Sequence, residues 1–394
     1  MRFAERMKQF SPGVFSRLAA VKQEALREGR RIIDFSVGAP NIPPAPHVLE
    51  ALTRAAAAGE NYVYALDDLP ELRAAAAAWY KRRFDVALDP ETEVTSLLGS
   101  QDGLAHLCLT FVDPGDVVLV PEPCYPVFAD GPRLAGAEVV FMPQRPENNW
   151  LIDLDAIPAE TARRAKLMIV CYPNNPTTAV APPGFYEKLV EFAQTRGIAV
   201  LHDNAYCEMV FAGGRGGSFL SVPGARDIGL EFNSLSKTYG LAGARVGFAL
   251  GNREMIARLR LLKSNFDFGV FLPVQKAAIA ALNGPQDCVA ATCAAYERRR
   301  DLLAAEFTRI GWPVAPSPAT MFVWAKIPPG FRGGCEYFAE KLVRLSGVIV
   351  IPGTAFGPSG EGYVRIALVR SEAEITAAAE AMAACGLLRE LKGG

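Results

Sequence analysis

The sequence predicts an α/β protein, in which a mostly parallel sheet is flanked by helices and a second, smaller α+β unit is attached. Between residues 45 and 284, short apolar runs alternate with longer amphipathic segments rich in Ala and Leu. This alternation is typical of strands and helices that succeed one another in a parallel sheet. The length of 394 residues also leaves room for more than one hydrophobic core.

Six short runs with β-branched or aromatic residues, bounded by Pro, Gly or Asp, predict buried strands. They are residues 116–120, 138–142, 167–171, 198–202, 230–233 and 245–250. The segment 101–112 follows Gly99-Ser100, and the segment 183–196 begins at a proline and stops at Gly197. These boundary residues predict that both segments are helices.

The pattern changes after Gly284-Pro285, where one long helical segment runs through Phe307. We therefore predict a large domain over residues 45–284 and a small domain formed by residues 1–44 and 285–394. Strand candidates in the small domain are residues 321–326, 348–351 and 363–367.

Composition excludes several classes of function. The 41 basic and 42 acidic side chains leave a formal net charge of -1, so no global field attracts nucleic acid or an anionic membrane. The eight cysteines are scattered without a C-x-x-C pair and are expected to be reduced. The sequence shows no signal-peptide pattern and no membrane-length apolar window, so we expect a cytoplasmic protein. The three histidines are not spaced like metal ligands, and we expect no metal site.

Polar residues follow three of the predicted strands. The first group is 172–177, the second is 203–206, and the third is 234–237, with Arg245 eight residues further on. In parallel sheets, ligands bind beyond the carboxyl ends of the strands. The three groups are therefore expected to converge on one site.

Nine ordered elements carry a resemblance to a known family. They are Ser36-Val37-Gly38, Tyr62-Val63-Tyr64, Gly99-Ser100-Gln101, Tyr125-Pro126, Asn175-Pro176, Asp203 with Tyr206, Ser234-x-x-Lys237, Arg245 and Arg365. In this order and placement the chain resembles, over nearly its whole length, a class I/II pyridoxal-phosphate-dependent aminotransferase of fold-type I. The diaminopimelate, aspartate and aromatic aminotransferase branch is the most similar. The resemblance implies a seven-stranded, mostly parallel sheet in the large domain.

The resemblance also implies which residues carry the chemistry. Pyridoxal phosphate is an electron sink for the carbanion that forms at the substrate Cα. Lys237 would hold the cofactor as a Schiff base and move the substrate proton. Asp203 would pair with the protonated pyridine nitrogen. Tyr206 and Asn175 would hydrogen-bond the ring oxygen O3′.

The remaining implied contacts concern the cofactor phosphate and ring. Ser100 and Gln101 open a helix whose N-terminus favours an anion. The other implied contacts are the stacking of Tyr125 on the pyridine face and phosphate binding by Ser234, Ser236 and Arg245.

Substrate recognition and assembly follow from the same resemblance. Arg365 would grip the substrate α-carboxylate through two parallel hydrogen bonds, with Asn175 and the backbone of Gly38 beside it. An aromatic residue of a neighbouring subunit would reach the cofactor phosphate, and Tyr64 is a better candidate than Tyr62. A homodimer is therefore expected.

Two local departures from the family pattern affect loops. Thr178 stands where a glycine is usual after N-P-T, and Asp67-Asp68 stand where a glycine commonly precedes the P-E-L-R helix. Neither position carries a reacting group.

The leading hypothesis is an aminotransferase that exchanges amino and keto groups between an L-amino acid and a 2-oxo acid by a ping-pong mechanism. One alternative is a carbon–sulfur β-lyase, which would use the same Lys, Asp and Tyr. A non-enzymatic cofactor-binding regulator is a remote alternative, because the chain shows neither a DNA-binding domain nor a basic surface. The substrate stays open. Residues that could make its side-chain pocket apolar are Leu66, Phe128, Phe266, Phe268 and Phe271.

Overall fold

The computed structural model describes residues 1–10 and 13–390. Its strands, in chain order, are β1 (Ile33–Asp34), β2 (Val94–Leu97), β3 (Val117–Glu122), β4 (Glu138–Pro143), β5 (Ala165–Val170), β6 (Ala199–Asp203), β7 (Gly229–Ser234), β8 (Gly247–Gly251), β9 (Phe322–Lys326), β10 (Val348–Ile349), β11 (Ile351–Pro352) and β12 (Tyr363–Ala367).

The α-helices are α1 (Gly13–Arg27), α2 (Pro46–Ala56), α3 (Pro70–Phe84), α4 (Ser100–Phe111), α5 (Val127–Leu134), α6 (Ala159–Arg164), α7 (Phe185–Arg196), α8 (Ala225–Ile228), α9 (Leu235–Thr238), α10 (Arg253–Phe266), α11 (Leu272–Asn283), α12 (Asp287–Arg309), α13 (Gly334–Ser346), α14 (Glu372–Ala384) and α15 (Leu387–Glu390). Short 3₁₀ turns lie at Glu5–Gln9, Gly59–Tyr62, Pro146–Asn148, Phe219–Ser221, Ala242–Ala244, Gly353–Phe356 and Pro358–Gly360.

The central sheet confirms the predicted α/β fold. Its seven described strands run in the order β2-β8-β7-β6-β5-β3-β4. Strands β3 to β7 are parallel to one another, and β8 is antiparallel to both of its neighbours. Because β5, β6 and β7 are adjacent and parallel, their carboxyl ends lie side by side at one edge of the sheet. Helices α4, α7 and α12 match the three predicted helical segments.

Two of the six strand predictions need correction. Residues 138–142 were expected to be buried, but of these only Met142 is buried, because β4 is the last strand of the sheet and pairs on one side alone. The segment 245–250 was expected to be strand throughout, but β8 begins at Gly247. Arg245 instead has a left-handed backbone, with φ of 55°. Since β8 is antiparallel to β7, its start rather than its end faces the carboxyl edge.

Two smaller sheets accompany the central one. Strand β1 pairs with β10 in parallel, and β11, β12 and β9 form an antiparallel sheet in that order. The predicted strand 348–351 is therefore two strands that belong to different sheets. Arg365 lies in the middle strand of the second sheet, opposite Trp324.

The proposed division into two domains stays a prediction, and the packing supports it. One buried hydrophobic cluster contains residues from 18–35 and 296–388, together with 205–211 from the loop after β6. Two other clusters draw their residues from 48–289. Among residues 1–10 and 13–390, no helix combines the length and the apolar character needed to cross a membrane.

Candidate active site

The carboxyl ends of β5, β6 and β7 carry the polar residues that the sequence singled out. Asn175 lies in the loop after β5, Asp203 is the last residue of β6, and Ser234 is the last residue of β7. The Ser234 hydroxyl accepts a hydrogen bond of 3.2 Å from the Ser236 amide and so caps α9. This single helical turn carries Lys237 at the edge of the sheet.

The Lys237 ammonium lies inside this edge and is held by the backbone. Its Nζ donates a 2.7 Å hydrogen bond to the carbonyl oxygen of Gly38. Burial and, to a smaller extent, the charges of Arg365 and Arg245 lower the pKa of Lys237 to about 8, against the attraction of Asp203. An amine that releases its proton near neutral pH can act as a nucleophile and a base.

Asp203 is a buried carboxylate whose hydrogen-bonding capacity is only partly used within the described chain. The residue is 7% exposed, and its Oδ1 atom has no hydrogen-bond partner among the described residues. Burial raises its pKa to about 6, although the charges of His202 and Lys237 oppose the shift. An unpaired buried carboxylate oxygen is costly. A cationic ring nitrogen that donates a hydrogen bond would satisfy it.

Arg365 is held in a fixed orientation on β12. Its Nη1 donates to Asn175 Oδ1 at 2.9 Å, and its Nη2 donates to the carbonyl oxygen of Ser36 at 3.2 Å. The guanidinium lies 4.2 Å from the ring centroid of Phe322 and 4.6 Å from that of Phe356. Burial lowers the pKa of Arg365 to about 10. The planar fork is thereby positioned for a carboxylate.

Phe322 and Phe356 are site residues that the sequence reasoning missed. Both pack against Arg365, yet they lie 43 and 9 positions away from it along the chain. The only signal for Phe322 is its place in β9, two residues before Trp324, which puts it on the same face as Arg365. That signal appears only once the pairing of β9 with β12 is known.

The backbone of Gly38 contacts Lys237 and lies beside Arg365. Its carbonyl accepts from Lys237, and a Cβ atom at this position would lie 3.0 Å from the Phe322 ring and 3.7 Å from Nη2 of Arg365. A side chain would therefore crowd the space beside the guanidinium, where a substrate carboxylate is expected.

Tyr206 is buried beside the same aromatic residue. Its ring packs edge-on against Phe322, with the centroids 5.8 Å apart. Burial raises the pKa of its phenol well above the usual value. Tyr206 therefore carries its proton at neutral pH and can donate it in a hydrogen bond.

Tyr125 and Gln101 meet across the opening of α4. The Tyr125 hydroxyl donates to Gln101 Oε1 at 3.1 Å, and its ring packs edge-on against Phe128. Burial raises the pKa of Tyr125, and the charges of Arg365 and Arg245 counteract the rise. The tyrosine thus stands near both arginines of the site.

The N-terminus of α4 and Arg245 form a cradle for an anion. Arg245 donates to the carbonyl oxygens of Ala242 at 3.1 Å and Leu98 at 3.3 Å. Gly99 caps the helix with φ of 79°, and a side chain there would collide with the guanidinium. The Oγ atom of Ser100 is buried without a partner among the described residues. A guanidinium, a free hydroxyl and a helix N-terminus together suit a phosphate.

Tyr62 and Tyr64 lie outside this buried group. Tyr64 is 81% exposed and Tyr62 is 64% exposed, although each ring contacts a phenylalanine, Phe268 and Phe271 respectively. Gln101 and Arg245, at the anion cradle, are the other predicted site residues that are exposed in the single chain. The side chains suggested for an apolar pocket differ in exposure. Phe128 is part of a buried core cluster. The others are exposed, namely Leu66, Phe266, Phe268 and Phe271.

Both departures from the family pattern have a local explanation. Asp68 accepts a 2.7 Å hydrogen bond from the Ser96 amide in β2, and Asp67 pairs with Arg73 at 3.2 Å, so two carboxylates hold this loop. Thr178 takes the left-handed backbone that a glycine would adopt, with φ of 65°. Its amide donates to the carbonyl oxygen of Asn174.

One cluster of possible metal ligands includes two residues of α4, the helix whose N-terminus forms the anion cradle. Asp102, His106 and Asp267 come together at the joint between α4 and α10. The ammonium of Lys263 lies 2.7 Å from Asp102 Oδ2 and 3.0 Å from Asp267 Oδ2. Since this cation already neutralises the carboxylates, the cluster is an ion-pair network, and we assign no metal to it.

The fold and this site define a class of protein, the pyridoxal-phosphate enzymes of fold-type I. The fit rests on unpaired buried atoms, because Asp203 Oδ1 and Ser100 Oγ have no partner among the described residues, and on Lys237, whose pKa is affected by the charges of both Asp203 and Arg365. Residues 30–382 match the model of the family described as aminotransferase class I and II. The chain belongs to this family, whose members depend on pyridoxal phosphate.

Relatives with established names are aminotransferases too. The chain is 46% identical over 383 residues to the LL-diaminopimelate aminotransferase of Desulforudis audaxviator (strain MP104C), covering 97% of each chain. It is 44% identical over 381 residues to that of Moorella thermoacetica, covering 96% and 97%. A probable N-succinyldiaminopimelate aminotransferase from Thermus thermophilus has a similar structure, with a TM-score of 0.89, 38% identity and coverage of 95% and 100%. Substrate-bound BacF from Bacillus subtilis gives a TM-score of 0.93, 34% identity and coverage of 98% of each chain.

These comparisons confirm the leading hypothesis from the sequence. The protein is a pyridoxal-phosphate-dependent aminotransferase that exchanges amino and keto groups between an amino acid and a 2-oxo acid. The relatives are named for transamination, which favours it over the carbon–sulfur β-lyase and the regulator. The predicted diaminopimelate, aspartate and aromatic branch is confirmed as well.

Proposed function

We propose that this aminotransferase takes LL-diaminopimelate as its amino donor. The observation that carries the proposal is the set of curated relatives that share 41% to 46% identity with the chain and are named LL-diaminopimelate aminotransferase. The relatives at the two ends of this identity range are each matched over at least 97% of their own length. The similarity therefore covers both the edge of the central sheet and the small sheet that bears Arg365. The cytoplasmic location stays a prediction.

The central residues have complementary roles in this proposal. Pyridoxal phosphate, when bound, supplies the electron sink for the charge that develops at the substrate Cα. Lys237 holds the cofactor and, as a free amine of lowered pKa, takes the proton from the substrate and returns it. Asp203 pairs its free oxygen with the ring nitrogen, and Tyr206 and Asn175 donate hydrogen bonds to the ring oxygen.

Two further parts of the site bind anions, one the cofactor phosphate and the other the substrate α-carboxylate. The N-terminus of α4 binds the cofactor phosphate, and Tyr125 covers the ring face. The remaining phosphate-binding residues are Ser100, Gln101, Ser234, Ser236 and Arg245. Arg365 binds the α-carboxylate of the substrate, with Asn175 beside the guanidinium and the Gly38 backbone leaving it accessible.

The site is completed by a second subunit in a homodimer. Tyr64, rather than Tyr62, reaches the phosphate of the partner's cofactor. An exposed apolar surface supports this arrangement, because contiguous patches of this kind mark interfaces. Its exposed members are Tyr62, Val63, Tyr64, Leu66, Phe266, Phe268 and Phe271.

A donor comparison tests the substrate. The holoenzyme is given 2-oxoglutarate and, in parallel, LL-diaminopimelate, N-succinyl-LL-diaminopimelate, aspartate or phenylalanine, and glutamate formation is measured. We expect the highest kcat/KM with LL-diaminopimelate. The Lys237→Ala variant is the blank for non-enzymatic amino transfer. A higher kcat/KM with any of the other three donors would reject this substrate while leaving the class of reaction intact.

A further inference from the structure

A second buried carboxylate lies next to Asp203, one strand away. Glu231 on β7 is paired in register with His202 on β6, and both side chains are completely buried. The distance from His202 Nδ1 to Glu231 Oε2 is 2.9 Å. His202 directly precedes Asp203, so the two side chains point to opposite faces of the sheet. The pair therefore lies directly behind the carboxylate that faces the cofactor.

Glu231 is surrounded by hydrogen-bond donors. In addition to His202, four groups donate to its two oxygens at distances of 2.8 to 3.0 Å, namely the Tyr80 hydroxyl, the Asn204 side-chain amide, the Ser218 hydroxyl and the Phe219 backbone amide. Burial raises the pKa of Glu231, but the hydrogen bond and charge of His202 and these donors outweigh it, and the pKa is lowered. Because all its neighbours donate, Glu231 is an ionised acceptor.

The second nitrogen of His202 faces groups that can accept. Nε2 lies 3.1 Å from the carbonyl oxygen of Tyr172 and 3.2 Å from the Tyr186 hydroxyl. The carbonyl has no proton to give, so a hydrogen on Nε2 would satisfy it, and the Tyr186 hydroxyl can accept from Nε2 while it donates to the same carbonyl at 3.3 Å. Nδ1 faces the ionised Glu231 carboxylate, where a hydrogen is also favoured. The contacts of both nitrogens therefore fit an imidazolium.

A positive charge on His202 lowers the pKa of Asp203, the next residue in the chain. Burial raises the pKa of Asp203, and the opposing charge of His202 lowers it more than the charge of Lys237 does. We propose that His202, held as a cation by Glu231, is a positioning residue that keeps Asp203 ionised and ready to pair with the cofactor's ring nitrogen. The titratable groups that face His202 are Glu231, Tyr186 and, through the strand, Asp203.

Nitrogen-15 NMR of the histidine rings tests the proposal directly, without any measurement of activity. The chain has only three histidines, His47, His106 and His202, and His47→Gln and His106→Gln assign their signals by difference. We expect both His202 nitrogens to show imidazolium shifts at a pH of about 7.5, because each nitrogen faces a group that accepts. A neutral single tautomer at a pH of about 7.5 would overturn the proposal.

A substitution provides the second measurement. His202→Gln keeps hydrogen-bonding atoms but removes the charge, so Asp203 should ionise at higher pH. We expect the acid limb of pyridoxal phosphate affinity to move up by about one pH unit, which is about a tenfold loss near pH 5, about twofold near pH 7, and none near pH 9. His47→Gln, remote from the pair, should bind like wild type at every pH. A loss in His202→Gln that is the same at all pH values would show a merely structural role and reject the proposal. The wild-type NMR result decides the question if this variant does not fold.

Discussion

Strands β6 and β7 carry two buried carboxylates that are hydrogen-bonded in opposite ways. On the cofactor side, Asp203 has an oxygen with no partner in the described chain, and its pKa is raised. One strand away, Glu231 receives hydrogen bonds on both oxygens, and its pKa is lowered. The two residues are both 7% exposed or less. Burial alone therefore does not distinguish a site residue from a structural one.

The difference extends to the residues around each carboxylate. Lys237 and Ser100 share the cofactor side with Asp203, where the lysine has a lowered pKa and the serine hydroxyl is unpaired within the described chain. Ser218 and His202 share the other side with Glu231, where both bond to it. One layer keeps bonding capacity for a ligand, and the other uses that capacity to stabilise the fold. Substitutions in the first layer should affect function without harming stability. Those in the second layer should lower stability, and they should reach function only through the charge of His202 beside Asp203.

The largest expected effect comes from Lys237→Ala. Removing the amine should lower the rate of amino transfer at least about a thousandfold, because the proposed roles of Lys237 in proton transfer and covalent attachment both need it. Stability of the cofactor-free protein should not fall, since the ammonium is buried near two arginines. Steady-state rates with added cofactor and urea unfolding measure the two effects. Wild-type turnover by the variant would exclude this lysine from the reaction.

Glu231→Gln should give the next largest effect, on stability. Removing one partner of a buried ion pair leaves the other charge uncompensated, so we expect a loss of about 3 kcal/mol in the free energy of unfolding. Urea unfolding of the cofactor-free protein measures it. Gln at this position keeps the size of the side chain, so a loss cannot come from a cavity. An unchanged midpoint would mean that this layer is not structural.

Asp203→Asn should act in the opposite direction. The pKa of Asp203 is raised to about 6 in the fold, so the native state keeps a proton that the unfolded chain releases, and stability falls as pH rises from about 4 to about 6. Asn cannot ionise and avoids this cost. We expect cofactor-free Asp203→Asn to be more stable than wild type above pH 6, by at most about 3 kcal/mol, and equal to it below about pH 4.

Thermal and urea unfolding at several pH values check this prediction, and the loaded enzyme provides the contrast. Because the variant lacks the charge proposed to pair with the ring nitrogen, amino transfer should fall even as the fold gains stability. A variant that is less stable than wild type at pH 8 would contradict the idea that Asp203 is held ready for a ligand.

A matched pair of serines gives the smallest effect. Ser218→Ala removes one of the donors to Glu231 and should cost about 1 kcal/mol of stability. Ser100→Ala removes a hydroxyl that has no partner among the described residues, so it should cost close to nothing in the cofactor-free protein. The same change should weaken pyridoxal phosphate binding about fivefold. Urea unfolding and cofactor titration of both variants measure these effects. Equal stability losses in the two variants would remove the contrast between the layers.

Local patterns in the sequence were sufficient for much of the molecule. The alternation of apolar runs predicted the α/β fold, because strand and helix periodicities are properties of a few consecutive residues. Punctuating residues such as Gly99 and Gly197 marked where helices begin and end. The placement of Asn175, Asp203 and Lys237 after successive strands predicted one site, since parallel strands end at the same edge.

Other features depended on which strands become neighbours. The sequence did not indicate that β4 is an edge strand, nor that residues 348–351 divide between two sheets, because both depend on pairing with distant segments. The same holds for the packing of Phe322 on Arg365.

The two carboxylates show this division most clearly. In the sequence, Glu231 is an acidic side chain inside a predicted strand and Asp203 is one that directly follows a predicted strand. Their types alone determined that each could accept hydrogen bonds. Tertiary structure decided that five donors reach Glu231 and that one oxygen of Asp203 has none within the described chain. The physical reason is that the donors come from separate parts of the chain, which meet only when the sheet and its helices have assembled.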